Sequence, residues 1–283
     1  MESAIQDHAL TLIDLPCDCC GEHNERLILN KKGALTKESF RLVKCLNCGF
    51  LYINPRPTEA SIKSLYDDDY YIGKGFDPFV DYVGDFAKTD DISKAFKPGA
   101  HAERLSTFKP APARLLDFGC GLGDFARQAK LKGYEVEGFE ISPAAREFCS
   151  KHGLKTYSDM AQIPDEYYDI VTAIEVLEHA YSPTEILKNI YRILKKDGVF
   201  LYTTYNLQLF EIMHRLGVAK DHSYICPEGH LNFFNRKTIM KYFNKIGFSK
   251  IGQPFFLADE TPVQLVKMGI KRVLGLHLPC AIK

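Results

Sequence analysis

Five of the nine cysteines, Cys17, Cys19, Cys20, Cys45 and Cys48, fall within the first 48 residues. Cys17-x-x-Cys20 and Cys45-x-x-Cys48 each put two thiolates on a tight turn, and two such turns close a tetrahedral four-sulfur zinc site. Gly21 and Gly49 follow the pairs and ease the backbone there. Cys19 is the spare thiol, able to replace a neighbour only if its turn rearranges. Four thiolates leave no open coordination position, so the expected zinc is structural, and its binding free energy would help so short a segment to fold.

A second constellation begins at Arg114. A buried strand ending at Asp117 is expected to run into a turn through Gly119, Gly121 and Gly123, with a helix after it. Glycines in such a turn let the backbone approach a ligand closely and adopt positive φ. The dinucleotide fingerprint G-x-G-x-x-G is not met, because Asp124 stands three residues after Gly121, and an acid at a helix start repels a pyrophosphate. Asp117 can hold a cationic amine, and Glu140, at the end of the next strand, is placed to take two ribose hydroxyls. Together they suit a nucleoside carrying a cationic amino-acid tail.

Glu175, Glu178 and His179 stand at i, i+3 and i+4 after a further apolar run, so a helix starting there would bring all three to one face. Two carboxylates and an imidazole suit Mg²⁺ or another hard divalent ion. His222 and His230 lie in a long segment after the next strand, where a substrate loop is expected, and an imidazole suits a general base. His230 is the first choice and His222 the second, with a structural hydrogen bond as the alternative for each. Cys226, between them, has no fixed basic neighbour and reads as structural.

These residues need a scaffold, and the sequence proposes one. At 283 residues, 46% apolar and 25% charged, the chain has globular proportions, which excludes disordered and fibrous classes. Residues 1–60 read as a small β-rich unit ending at Pro55-Arg-Pro57, and residues 61–110 as an aromatic connector. From 111 to 283, short apolar strands alternate with helical periodicity near 122–133, 143–152 and 183–196, the pattern of a parallel sheet with helices on both faces. Residues 205–235 form its substrate-loop segment. Tyr70, Tyr71 and Phe76 either close over a ligand as a lid or pack ribbon against sheet. Asp67, Asp68 and Asp69 read as a solvated turn.

Charge separates the classes of partner. Lys+Arg and Asp+Glu are both 36, and residues 1–60 carry seven basic against eight acidic side chains. A four-thiolate zinc adds two further negative charges, so affinity for RNA or DNA has little to rest on. The apolar runs fall well short of the roughly 18–20 residues that span a bilayer. An amphipathic stretch over 262–275 with Lys267, Lys271 and Arg272 could lie on a membrane surface, but the preferred reading is a last helix packed on the sheet. The N-terminal residues lack the pattern of a secretory signal, and the expected compartment is the cytoplasm. Nothing in the sequence marks an oligomeric state.

From about residue 62 onward the chain resembles class I S-adenosylmethionine (SAM)-dependent methyltransferases. LLDFGCGLGDFA looks like the family's first motif, FEISPAA like its second-strand acid, YDIVTAIEVLEH like its fourth strand and LKKDGVFLYTT like its fifth. The cysteine-rich start, Asn54-Pro-Arg-Pro57, Tyr70-Tyr71 and Gly229-His-Leu-Asn-Phe-Phe234 are similar to a bacterial subgroup whose substrates are often sugars or other small metabolites. The resemblance implies an α/β, Rossmann-like, seven-stranded and mostly parallel sheet preceded by the zinc ribbon. It implies SAM binding by Asp117, Gly119, Cys120, Gly121, Glu140 and Glu175, with Ile141 over the adenine and Asp159 and Met160 at its edge. The short Leu278–Ile282 run, broken by Pro279, departs from the family's closing strand. A similar Glu-x-x-Glu-His, completed by a later histidine, occurs in polyprenyl-catechol O-methyltransferases and small-RNA 2′-O-methyltransferases, which would add His230 to the Mg²⁺ ligands. Elsewhere in the family the same residues merely cap and pack a helix. The reading reached is a methyltransferase acting on a small molecule, most often at a hydroxyl of a sugar or secondary metabolite. Its rivals are an RNA methyltransferase guided by the ribbon and a non-catalytic SAM-binding or protein-interaction module.

Overall fold

The computed structural model describes residues 10–36, 38–66, 68–71, 83–84, 98–204, 207–221, 225–248, 250–251 and 281–282. His222, Phe76 and the stretch 262–275 lie outside these. In chain order the first elements are β1 (Leu12–Ile13), β2 (Glu25–Lys32), β3 (Ser39–Cys45), β4 (Leu51–Ile53), β5 (Arg56–Pro57), α1 (Glu59–Ser64), α2 (Asp68–Tyr71) and α3 (Pro98–Phe108). Then come β6 (Arg114–Phe118), α4 (Asp124–Leu131), β7 (Glu135–Phe139), α5 (Pro143–Lys151), β8 (Thr156–Tyr157) and β9 (Tyr168–Ile174). The chain continues through α6 (Pro183–Ile193), β10 (Leu194–Thr203), α7 (Gln208–Arg215), β11 (Asn232–Phe233), α8 (Arg236–Ile246), β12 (Lys250–Ile251) and β13 (Ala281–Ile282).

The main sheet has seven strands in the order β12-β13-β10-β9-β6-β7-β8. β10, β9, β6, β7 and β8 are parallel, and β13 runs antiparallel to β10 and β12. The closing strand is present as Ala281–Ile282. The helices follow their local signals. Ser142 caps α5 by accepting from Ala145 N, with Pro143 at the first position, where the missing N–H costs nothing. Asn235 and Thr238 form a reciprocal capping box on α8. α6 stops at Ile193, short of the expected 196, because the buried Leu194 already pairs in β10.

The chain leaves β6 toward β7 and β8 on one side and returns to β9 on the other. The strand order therefore reverses between β6 and β9, the place where open α/β sheets bind ligands at the carboxyl ends of their strands. Register puts Asp117 opposite both Thr172 and Gly138 at that edge.

The cysteine-rich segment builds a four-stranded antiparallel sheet in the order β11-β4-β3-β2. Its edge strand β11 comes from the segment after β10 that was expected to hold a substrate loop, with Asn232 opposite Tyr52 and Phe233 opposite Leu51. The ribbon and the main sheet also share one core, in which Cys17, Val43, Phe50 and Tyr52 pack with Leu116, Phe118, Phe234 and Tyr242. Among the described residues no helix is long and apolar enough to cross a membrane.

Candidate active site and metal centre

The two cysteine turns are built alike. Gly21 N–H donates to Cys17 O at 2.7 Å and Gly49 N–H to Cys45 O at 2.9 Å, while Cys17 and Cys45 N–H reach Glu22 O and Phe50 O. Gly21 and Gly49 take φ of +79° and +82°, which a β-carbon would disfavour. The Sγ atoms of Cys17, Cys20, Cys45 and Cys48 all lie within 4.8 Å of one another, the convergence a tetrahedral zinc requires. Without metal this is a set of competing thiols: hydrogen bonding to Cys48 and burial hold the Cys17 thiol well above its ordinary value, while Cys48 is held below it. Cys19 is buried beside the four and stands outside the convergent set.

The ribbon is fastened to the main sheet by polar contacts that sequence spacing does not reveal. Asp18 accepts from Ser182 Oγ at 2.6 Å, Thr184 N at 3.0 Å and Thr184 Oγ1 at 2.6 Å, at the start of α6. Lys241 and Lys245 of α8 donate to Cys48 O and Cys19 O at 3.0 and 3.4 Å. The fully buried Arg56 donates to Tyr181 O at 2.9 Å and lies over the Tyr52 ring.

At the glycine turn, Gly119 and Cys120 N–H both donate to Phe139 O, folding the turn over the end of β7. Gly119 has φ +72°, and a β-carbon there would sit 2.6 Å from Val176 Cγ2, so both conformation and space demand glycine. A β-carbon on Gly121, φ +52°, would meet nothing within 4 Å; it borders open space. Glu140 accepts Gly121 N–H and Ser142 N–H at 2.9 Å each, so the acid is fixed against the turn. Cys120 is buried beneath Gly138. Asp117 is 3% exposed, and its Oδ1 accepts from Thr172 Oγ1 at 2.8 Å. Burial pushes its carboxyl up to about 7, and pushes Glu140 upward as well. Ile141 is 41% exposed beside Glu140, an apolar surface facing solvent, and Asp159 caps a short 3₁₀ turn at Met160–Gln162 by accepting Ala161 N–H. The buried acid at the end of β6, the fixed acid after β7 and the open turn between them fit a nucleoside with an amino-acid tail.

The stretch after β9 differs from expectation. Residues 175–180 form no α-helix; they make two tight turns, His179 N–H to Val176 O and Ala180 N–H to Leu177 O. Glu175 takes φ +56°, outside the helical region, and its N–H donates to Thr203 O and Thr203 Oγ1. The shared face of Glu175, Glu178 and His179 is therefore lost. Glu178 is 1% exposed beside Thr204, and burial with the nearby Glu175 charge pushes its carboxyl up to about 8. His179 Nδ1 lies 3.1 Å from Gly229 O, to which it donates, and desolvation holds this ring neutral. Among the described residues the donor atoms that converge are the four thiols and a group formed by the exposed Asp14 and His23 with the half-buried Glu25. Glu175, Glu178, His179 and His230 do not converge in this way.

His230 is buried against His179. Its ring, 3% exposed, lies 4.7 Å from His179, and a ladder of rings continues through Tyr66 and Tyr70 to Tyr71. Tyr70 and Tyr71 pack in one cluster with Leu122 of the glycine turn, Ala145 of α5, and Leu42 and Leu51 of the ribbon, so the connector touches ligand turn and ribbon together. Glu178 O accepts Leu231 and Asn232 N–H, and Asn232 Nδ2 donates to Ala180 O at 2.6 Å, stapling β11 to the β9 turn. Thr172 and Thr203, whose hydroxyls meet Asp117 and the Glu175 N–H, carry no signal in the sequence.

A family model described as a methyltransferase domain matches residues 94–253. The chain is 32% identical over 106 residues to the ubiquinone biosynthesis O-methyltransferase of Pseudomonas savastanoi pv. phaseolicola, covering 34% of this chain and 46% of that protein. It is 25% identical over 152 residues to the Vibrio parahaemolyticus protein of the same name, 49% of this chain and 65% of that one. The chain thus spans about half to two thirds of these curated relatives. Among solved structures, Haemonchus contortus phosphoethanolamine N-methyltransferase 2 in complex with S-adenosyl-L-methionine aligns at TM-score 0.54 and 19% identity, covering 82% of this chain and 62% of that one. At that identity the likeness speaks for the fold alone.

Proposed function

Because the chain belongs to the methyltransferase-domain family, we propose that it transfers a methyl group from SAM to a hydroxyl of a small molecule, with a structural zinc in its ribbon. The observation that carries the reading is the pairing of Asp117 and Glu140 at adjacent strand ends across a glycine turn at the switch point. Asp117 would hold the ammonium of the cofactor's amino-acid tail, and Glu140 the ribose hydroxyls through the lone pairs its two backbone contacts leave free. Ile141 would lie on the adenine, with Asp159 and Met160 at its edge. Bound there, SAM supplies an electrophilic methyl on a sulfonium, for in-line displacement. Cys17, Cys20, Cys45 and Cys48 would hold the zinc.

An attacking hydroxyl must lose its proton as the carbon–oxygen bond forms. His230 is the proposed base, because it is buried beside the neutral His179 and next to the connector rings that exclude water. Holding the acceptor in line then supplies much of the acceleration, roughly 7–11 kcal/mol for a well-oriented pair. That the curated relatives are O-methyltransferases of ubiquinone biosynthesis favours oxygen as the acceptor atom over nitrogen or carbon. Whether the hydroxyl belongs to a sugar, another secondary metabolite or a ring compound is a finer question that an acceptor screen answers.

Isothermal titration with S-adenosylhomocysteine tests the reading. Binding to the zinc-loaded protein should weaken at least tenfold, about 1.4 kcal/mol, in Asp117→Ala and in Glu140→Ala. A well-folded protein that takes no S-adenosylhomocysteine would overturn it.

A further inference from the structure

Glu228 is completely buried, two residues from His230, and its partners come from the far end of the ribbon. The connection between β2 and β3 presents three consecutive backbone donors to it: Ala34 N–H to Oε2 at 2.7 Å, and Leu35 and Thr36 N–H to Oε1 at 2.9 Å each. Thr36 Oγ1 adds a fourth donor at 3.2 Å. Such a run of amides is a preformed anion cradle, and it has no rotamers to lose. Gly33 admits the carboxylate, since a β-carbon there would lie 2.2 Å from Oε1. Burying a carboxylate is costly unless it is hydrogen-bonded, and these four donors supply that bonding. What the carboxylate adds is a fixed address for the segment that carries it.

That segment is short. Gly229 and His230 N–H both return to Cys226 O, closing a turn, and Gly229 O receives the His179 ring. Downstream, Leu231 and Asn232 N–H bond to Glu178 O, and β11 joins the ribbon sheet. His230 therefore sits between two anchors, Glu228 in the hairpin cradle and Asn232 in the sheet, with three residues between them. Removing the upstream anchor would free the turn on the side where the imidazole is set.

We infer that Glu228 is a positioning residue through which the ribbon's β2–β3 hairpin orients His230 for proton abstraction. The inference rests on the reading of His230 as the base. A base displaced by about 1 Å can cost on the order of a hundredfold in rate, so a cradle of fixed amides is worth its burial. The ribbon then belongs to the acceptor side of the active site, besides serving as an appended fold.

The test is nuclear magnetic resonance of zinc-loaded, S-adenosylhomocysteine-bound protein with ¹⁵N-labelled histidine rings, the His230 signals being identified by their loss in His230→Gln. In Glu228→Gln and in Gly33→Ala, which strikes the cradle from the other side, the His230 ring signals should shift and broaden or double. Zinc content should be unchanged and S-adenosylhomocysteine affinity within about twofold of wild type. Should Glu228→Gln fail to fold, Thr36→Ala removes a single donor and carries the same readout. Unchanged His230 signals in the folded variants would overturn the proposal. Methyl transfer to 3,4-dihydroxybenzoate separates the two readings: if the ring signals move but His230→Gln keeps its full rate, positioning stands and the base assignment falls.

Discussion

Asp18 lies between the cysteines of the first pair, yet its carboxylate is spent on Thr184, whose backbone N–H and hydroxyl it accepts at 3.0 and 2.6 Å. A residue of the ribbon thus helps to cap a helix of the main sheet, and Ser182 Oγ joins the same carboxylate at 2.6 Å. Replacing it by alanine leaves those donors at the buried start of α6 short of their partner. Asp18→Ala should cost about 1–2 kcal/mol and lower the thermal midpoint by roughly 2–8 °C. A melt of the zinc-loaded variant that overlays wild type would remove Asp18 from the account of stability.

Metal removal should act on the whole molecule for the same reason. With Lys241 and Lys245 bonded to carbonyls of the cysteine turns, and the ribbon core continuous with the main sheet, loosening the turns exposes shared apolar surface. Cys48→Ser, or stripping by a strong chelator, should lower the midpoint of the main cooperative transition and weaken S-adenosylhomocysteine binding. Calorimetry showing a separate small ribbon transition, with the main one unmoved, would contradict this.

Cofactor affinity should depend on pH through Asp117. Its carboxyl, pushed up to about 7 by burial, is above its unfolded value, so the proton stabilises the free protein at low pH, and that contribution is lost as pH rises through 7. A cationic amine binds the ionised form, so affinity for S-adenosylhomocysteine should rise with pH and level off above 7. At pH 6 it should be about tenfold below the plateau, with a proton released on binding. Asp117→Asn should bind weakly and without this slope; titration in buffers of different ionisation enthalpy reads both effects.

Gly119→Ala combines a left-handed backbone position with a β-carbon 2.6 Å from Val176. It should lose stability by about 1–3 kcal/mol and S-adenosylhomocysteine affinity by more than tenfold, or about 1.4 kcal/mol. Gly121→Ala meets no neighbour within 4 Å, so its loss of affinity should come with a smaller loss of stability. Equal melting losses in the two variants would show that space at Gly119 is not the cause.

Much of the cofactor side was legible because its chemistry is local. Asp117, Gly119, Gly121 and Glu140 each sit at a strand end that apolar runs mark out, and the cysteine turns carry their glycines with them. The surroundings of His230 and the seating of the ribbon were not legible, because contacts distant in sequence build them. Glu228 meets Ala34 across 194 positions and Lys241 meets Cys48 across 193. The i, i+3, i+4 spacing of Glu175, Glu178 and His179 predicted a shared helical face, and the positive φ of Glu175 with its double bond to Thr203 turned the chain elsewhere. Thr172 read as an ordinary strand residue until register placed it opposite Asp117.

The antiparallel sheet that begins at Glu25 ends its strand order with Asn232 and Phe233. On a ribosome its first three strands emerge long before the fourth, and chains are made at roughly 5–20 residues per second. For that interval β4 is an open edge with unpaired amides, and the Glu228 cradle at the opposite end of the hairpin has nothing to hold. Such far-separated pairing makes for slow closure, because a long loop must be ordered before any contact rewards it. The last strand to arrive also carries the segment with His230, so the placing of that imidazole and the completion of the cysteine-rich sheet come about in the same folding event.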